Sequence, residues 1–395
     1  MLGAIVSTYT VITTLPLVVA LLTVFTFVLP SRMRVGRMAI WTIVLFACAS
    51  RGVVYKALGG SAQAPEFPEW LLWVWDWANS GLLLLFLFSL VWRVFKWRTI
   101  ILPILAWGLA ALGFVNGIKP PEIREIELQY SDLPEELDGY RIVQLADLHC
   151  SSSMRGWRTR AVVEKVNSAK PDIICLTGDY VDGSCSRLGG DLEPLKDLHA
   201  PDGVWCVRGN HEYYLDCDSW RKWFAANGFR FLVNECVFPR PSLALGGVND
   251  SGASKIGDVM PNVRTAFSAA TNGEFRVLME HRPKYARENF EMHVVRLQLS
   301  GHTHGGIVPG FDSLIACFNG GFARGVYKMP GGWLFVSPGV GQWSGFPLRF
   351  LNPPEVNVII LSRQCREGDV TFCKTACKQD EGRTRKESQH GYQPI

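Results

Sequence analysis

Five short strings place carboxylates, an amide or imidazoles directly after apolar, strand-like runs. In RIVQLADLHC, Asp147 and His149 stand two positions apart. On an extended segment, positions i and i+2 share a side, so a carboxylate and an imidazole converge on one cation. In PDIICLTGDYVDG, Gly178 permits a tight turn that exposes Asp179. GVWCVRGNHEYY offers Asn210 as a neutral oxygen donor and His211 as a proton donor. EFRVLMEHRP delivers His281 just before Pro283. VVRLQLSGHTHGG carries His302 and His304, again two apart, with Gly301, Gly305 and Gly306 around them to let backbone approach a ligand. Taken singly, each string reads as a capping Asp or an incidental His. All eight histidines lie after Pro120, and five follow this pattern, which together with Asp147, Asp179 and Asn210 indicates one site for two metal ions.

Such a pair can drive hydrolysis, at phosphorus among other centres. Two divalent ions roughly 3.5 to 4 Å apart share a hydroxide, lower its pKa towards neutrality and clamp the attacking and leaving oxygens of an in-line displacement. Mixed nitrogen and oxygen ligands suit Mn, Fe, Zn or Co better than Mg. Mn or Fe is the expectation, with Zn or Co as alternatives. Cys150 follows His149 directly and points to the opposite side on extended backbone.

The elements that must position these groups are the runs before them, expected as strands at 141–146, 173–177, 204–207, 275–279 and 294–299. Chemistry at strand ends is the usual α/β arrangement. About 240 residues, 121–361, suit one layered domain.

The first third is different. Up to Lys119 there are nine Lys and Arg against three Asp and Glu, and beyond it 31 against 33, so no clustered basic face recommends nucleic acid as a partner. Four apolar stretches, 9–30, 38–55, 71–92 and 99–117, are each long enough to cross about 30 Å of hydrocarbon. The first lacks the basic flank and cleavage site of a signal peptide and is expected to stay. Eight of the 14 Trp lie before residue 120, several at span ends, as interfacial belts require. Arg32, Arg34 and Arg37 follow the first stretch and Arg93, Lys96 and Arg98 the third, which keeps those loops cytoplasmic and sends both termini outward. Asp76 is expected at headgroup level, with a transport path as the alternative. Ten of the 11 cysteines lie on the outward side, where disulfides persist; Cys217 with Cys236, and Cys365, Cys373 and Cys377, are the expected bridge formers. A zinc site from the last three lacks a fourth ligand.

The order D-x-H, G-D, G-N-H-E, H, G-H-T-H resembles the calcineurin-like metallophosphoesterase superfamily. GNHEYY, LQLSGHTHGG and VSPGVGQWSGFPLRFLNPPEVNVIIL resemble its membrane-anchored bacterial branch, over about residues 121–361. The resemblance implies a four-layer αββα sandwich preceded by transmembrane helices. It further implies that Asp147, His149, Asp179 and His304 hold one metal and Asp179, Asn210, His281 and His302 the other, with Asp179 bridging. His211 would face the phosphate and protonate or stabilise the leaving oxygen. Departures are Ala146 and Cys150 around the first motif, Glu212 where much of the superfamily has Asp, Arg282 where Gln is frequent, and Asn249 where an acid is frequent. None removes a ligand. Arg282 either contacts a phosphate or is a solvated charge.

The expected protein is therefore a metal-dependent phosphodiesterase or phosphatase in the cell (inner) membrane, cutting phosphoesters on the non-cytoplasmic face. Residues 1–120 form the anchor, 121–362 the catalytic domain and 363–395 a polar tail. A catalytic domain so close to the bilayer suits a lipid-linked or envelope phosphoester. The competing reading is a receptor or scaffold that binds a phosphorylated ligand without turnover; the presence of His211 favours catalysis.

Overall fold

Short, almost continuously apolar runs build the central strands, which send successive side chains to opposite faces and are buried on both. In the computed structural model, residues 8–31, 33–58, 67–95, 101–271, 273–292, 295–306, 310–343, 345 and 347–364 are described. The helices of the first third are α1 (Thr8–Thr23), α2 (Val35–Ala49), α3 (Arg51–Ala57), α4 (Glu69–Phe95) and α5 (Ile101–Ile118). The chain continues β1 (Glu122–Tyr130), β2 (Arg141–Leu145), β3 (Cys150–Ser151), α6 (Gly156–Ser168), β4 (Ile173–Leu176), β5 (Val181–Asp182), α7 (Cys185–Leu192), β6 (Val204–Cys206) and α8 (Cys217–Ala226). Then follow β7 (Glu235–Arg240), β8 (Leu243–Gly247), α9 (Val263–Ala266), β9 (Phe275–Met279), α10 (Ala286–Glu291), β10 (Leu297–Ser300), α11 (Asp312–Phe318), β11 (Gly325–Met329), β12 (Gly332–Val336) and β13 (Glu355–Arg363).

Two sheets pack face to face. One has the order β1-β13-β2-β4-β6 and the other β11-β12-β10-β9-β8-β7. Ile142, Ile173 and Cys175 of the first meet Leu245, Val277, Met279 and Leu299 of the second in a fully buried core. The alternate residues Val143, Leu145, Ile174 and Leu176 face outward, against Val162, Val166, Trp220 and Phe224 of α6 and α8. Leu278 and Leu334 face outward on the second sheet against Ala266, Ala286 and Phe290. These are the four αββα layers expected from the sequence.

Strands β2, β4 and β6 are parallel, so their C-terminal ends lie at one edge of the sandwich. Strand β13 is antiparallel to β2 and parallel to β1, so the chain arriving from α5 enters the sheet at that same edge. The helices of the first third are joined to this edge. Trp73 Nε1 donates to Ser153 O at 2.8 Å, Ser80 Oγ to Pro347 O at 3.2 Å, and the Arg349 amide to Gly113 O at 3.2 Å. Leu348 packs among Leu45, Leu82, Leu85 and Leu102 of the helices.

Among the described residues three helices are long and apolar enough to cross a membrane, four if α2 and α3 count as one broken span. The expected second span is thus not one straight helix but two pieces bent by 63°. Arg51 opens α3 at the break and pairs with Asp76 of α4. Asp76 is buried against that guanidinium. Cys217 and Cys236 are free thiols, which corrects the expected bridge: a loop position does not bring two Cα atoms within disulfide reach. Arg32, Lys96, Arg98, Cys365, Cys373, Cys377 and the expected tail beyond Gln364 lie outside the described residues.

Candidate metal centre

All eight singled-out residues meet at the edge where the parallel strands end. Asp147 and His149 follow β2, Asp179 follows β4, Asn210 and His211 follow β6, His281 follows β9, and His302 and His304 follow β10. Asp147, His149 and His304 offer ligand atoms within 4.8 Å of one another, and so do Asp179, His281 and His302; Asp179 also groups with His149 and His211. His149 Nε2 lies 3.9 Å from Asp179 Oδ2, and His281 Nε2 lies 3.1 Å from the same oxygen. Asp179 thus stands between the two groups.

The backbone reaches this convergence by a route the sequence did not suggest. The extended i, i+2 geometry expected for D-x-H and H-T-H is absent. Among the described residues nine non-glycine positions have positive φ, and five of them are Asp147 (54°), His149 (46°), Asp179 (57°), His302 (74°) and His304 (48°). Asp and His tolerate the left-handed region better than most side chains, and strain of this kind gathers at functional sites. Close backbone approach also requires glycine at two places. A Cβ on Gly209 would overlap the Asp179 carboxylate, and one on Gly301 the Asp147 carboxylate.

Hydrogen bonds fix which atoms face inward. His281 Nδ1 donates to Thr177 O at 2.8 Å, which leaves Nε2 facing Asp179. Asn210 Nδ2 donates to Tyr214 Oη at 2.9 Å, and its buried Oδ1 has no hydrogen-bond partner. His281 Nε2 is likewise buried without an aligned hydrogen bond. His149 Nε2 and His304 Nε2 stand 3.0 Å apart, each about 4 Å from Asp147 Oδ1. Orphaned oxygen and nitrogen donors beside two buried carboxylates are what a pair of divalent cations would satisfy.

Charge points the same way. Burial opposes ionisation of Asp179, but His281, His211 and His149 hold its carboxyl well below the usual range. Burial raises Asp147 despite His281, and the neighbouring Asp179 adds to the rise. Such a separation marks two carboxylates that cannot both ionise comfortably without a cation. Burial, helped by Arg282, keeps His302 neutral; burial, helped by His149 and Arg349, does the same for His304.

Three supporting carboxylates were not singled out as such in the sequence. Asp182, three residues after Asp179, accepts from His149 Nδ1 at 3.1 Å and from His211 Nδ1 at 2.5 Å. Glu212 accepts from the amides of Asp179, Tyr180 and Gly209 at 2.9, 2.7 and 2.7 Å, tying two ligand loops together. Asp250 holds Arg282 Nε at 2.7 Å, while the neighbouring Asn249 amide bonds Val259 O and Arg208. Arg349, buried, lies with Nη2 3.2 Å from His304 Nδ1 and donates to Pro338 O. Cys150 is buried on β3, away from the ligand atoms, in the core that includes Val162 and Leu188.

The calcineurin-like phosphoesterase family matches residues 140–306, a span that includes every residue from Asp147 to His304. An uncharacterised metallophosphoesterase of Aquifex aeolicus is 32% identical over 250 residues, covering 60% of this chain and 91% of that protein. One from Helicobacter pylori is 34% identical over 245 residues, covering 62% of this chain and 65% of its own. A Danio rerio transmembrane protein with metallophosphoesterase domain is 30% identical over 279 residues, covering 67% of this chain and 63% of its own. The chain therefore spans just under two thirds of the length of the last two. With the motif region matched as a block and the Aquifex aeolicus protein matched almost end to end, this chain belongs to the calcineurin-like metallophosphoesterases.

Proposed function

We propose that this protein is a membrane-anchored phosphoester hydrolase that uses two metal ions, Mn or Fe in first place and Zn or Co in second. The observation that carries the reading is the convergence of Asp147, His149, Asp179, Asn210, His281, His302 and His304 around unpartnered, inward-facing donors, with His211 beside them. In this reading Asp147, His149, Asp179 and His304 hold one ion, and Asp179, Asn210, His281 and His302 hold the other. When bound, such a pair supplies Lewis-acid activation of water and of a phosphoryl oxygen. His211 does the proton work. Its Nδ1 is held by Asp182, and in the metal-free chain, although burial disfavours its charge, Asp179 and Asp182 raise its pKa to about 9, which suits Nε2 to give a proton to the leaving oxygen. Tyr214 and Trp343 stand 4.7 and 5.8 Å from its ring and screen it from bulk water.

Residues 1–120 serve as anchor and 121–362 as catalytic domain. The Arg and Lys residues after the first and third apolar stretches orient the catalytic domain to the non-cytoplasmic face of a cell membrane. The substrate is a phosphoester presented at the bilayer, lipid-linked or part of the envelope. This is supported by the entry of β1 at the metal edge and by Arg349, which bonds Gly113 of α5 through its amide and reaches His304 with its side chain.

The test is turnover by the full chain in detergent, loaded with Mn or Fe, on chromogenic monoesters and diesters and on a lipid phosphoester, beside His211→Ala. Wild type and variant both at the blank rate would end the assignment. Saturable binding of phosphorylated ligands without turnover would favour the receptor reading. A reporter active only in the cytoplasm, fused after Ile395, should stay silent.

A further inference from the structure

A seven-residue helix stands beside the metal centre with nothing to bury. No residue of α11 is buried, and Phe311, Leu314 and Phe318 are 36%, 51% and 71% exposed. Leu351, 68% exposed and in left-handed backbone at φ 55°, adds a fourth large apolar side chain. Clustered exposed apolar residues beside a functional site mark an interaction surface.

We infer that α11 and Leu351 form an interfacial surface seated in the bilayer at the mouth of the metal centre, where it receives a phosphoester whose apolar part stays in the membrane. Continuity with the apolar helices identifies the occupant. Leu348 and Phe350 pack among those helices, Leu351 follows directly, and Asn352 Nδ2 then donates to His304 O at 2.5 Å. The turn His304–Gly306 in turn packs closely on Asp312 at the start of α11, where a Cβ on Gly306 would overlap it. One short stretch of chain thus links the buried face of the anchor, an exposed leucine and a metal-centre histidine.

Charge complementarity agrees. Arg287 Nε donates to Gly320 O just beyond α11, and Arg324 Nη1 donates to Asn352 Oδ1 at 3.0 Å. Lys284, also exposed, packs with its carbonyl against Gly320. Basic side chains around an apolar helical face suit anionic headgroups, and such helices bury that face about 5 to 10 Å into the boundary. Asp312 is the acidic exception within the helix.

The inference rests on the phosphoesterase reading for its substrate class, but its test does not need catalysis. In a background with Cys48, Cys185, Cys217, Cys236, Cys317, Cys365, Cys373 and Cys377 replaced by Ser, a polarity-sensitive fluorophore is placed at Leu314→Cys or Phe318→Cys, with Glu135→Cys at the opposite end of the first sheet as control. The full chain is reconstituted in vesicles containing phosphatidylglycerol and shallow spin-labelled lipid. The expected result is severalfold stronger lipid quenching at 314 and 318 than at 135, with an emission blue shift. Quenching equal to position 135 overturns the inference, as does shielding at 314 without lipid quenching, which would mean a protein partner. A second measurement uses Leu314→Ser/Phe318→Ser: turnover of a vesicle-borne phosphoester should fall severalfold while a soluble chromogenic ester is cut as before. Equal loss on both substrates would overturn it. Seated probes with no turnover on any ester would sink the phosphoesterase reading and leave the membrane seat standing.

Discussion

Asp182 Oδ1 accepts a hydrogen bond from His211 Nδ1 at 2.5 Å, and the same carboxylate also accepts one from His149 Nδ1. One buried side chain therefore sets the tautomer of a candidate ligand and of the candidate proton donor together. Asp182→Asn keeps the shape and removes the charge. It should lower both metal occupancy and kcat, each by about 10- to 100-fold, the usual cost of losing such a partner. Elemental analysis beside steady-state kinetics checks it; a loss confined to one of the two would show that the carboxylate serves only one histidine.

His211→Ala should separate the two effects. With the ligands intact, metal stoichiometry should stay at the wild-type level while kcat falls by about 10²- to 10⁴-fold, the range for removing a general acid. A fall in metal content matching the fall in kcat would make His211 a ligand.

Glu212→Gln should act on the fold around the site. The carboxylate accepts three backbone N–H groups, and a carboxamide turns one of its acceptors into a donor facing an amide. The expected loss is about 1 to 3 kcal/mol, as for an unsatisfied buried group. Calorimetry of the metal-loaded chain should show a lower Tm; an unchanged Tm would mean that the loops hold together without it.

Metal loading should release protons. In chain stripped by a chelator, burial disfavours a charge on His281, yet Asp179 and Asp147 raise its pKa to about 10 from 6.5. Because the folded value lies above the unfolded one, the stabilisation from the charged imidazole is complete below pH 6.5 and disappears as pH rises through about 10. Ligation needs the neutral ring, so affinity for Mn should climb with pH across that window, with protons released on titration in weak buffer. Affinity that is flat across that window would argue against His281 as a ligand.

Arg282 is fixed through Nε by the buried Asp250, and among the described residues its terminal nitrogens make no hydrogen bond. Arg282→Gln should raise KM about tenfold with kcat nearly unchanged, the order expected for one charged hydrogen bond to phosphate. An unaltered KM would make it a solvated charge.

The sequence by itself determined the donors and the frame that delivers them. Short β-branched or apolar runs followed by Asp147, Asp179, Asn210, His281 and His302 can be read because strand preference is local, and unbroken apolar stretches declare membrane length for the same reason. What lies between distant segments was decided by tertiary packing. Asp182 looks like any loop acid until the sheets bring His149 and His211 to it, and Glu212 looks like a conservative replacement until its oxygens meet the amides of another loop. Arg51, at the break between α2 and α3, meets Asp76 of a different helix, and Cys217 and Cys236 stay unbridged. The left-handed backbone at Asp147 and His149 was hidden as well, because those φ angles are held by neighbours far along the chain. Local periodicity reports which face a residue takes; only the packed fold reports what waits on that face.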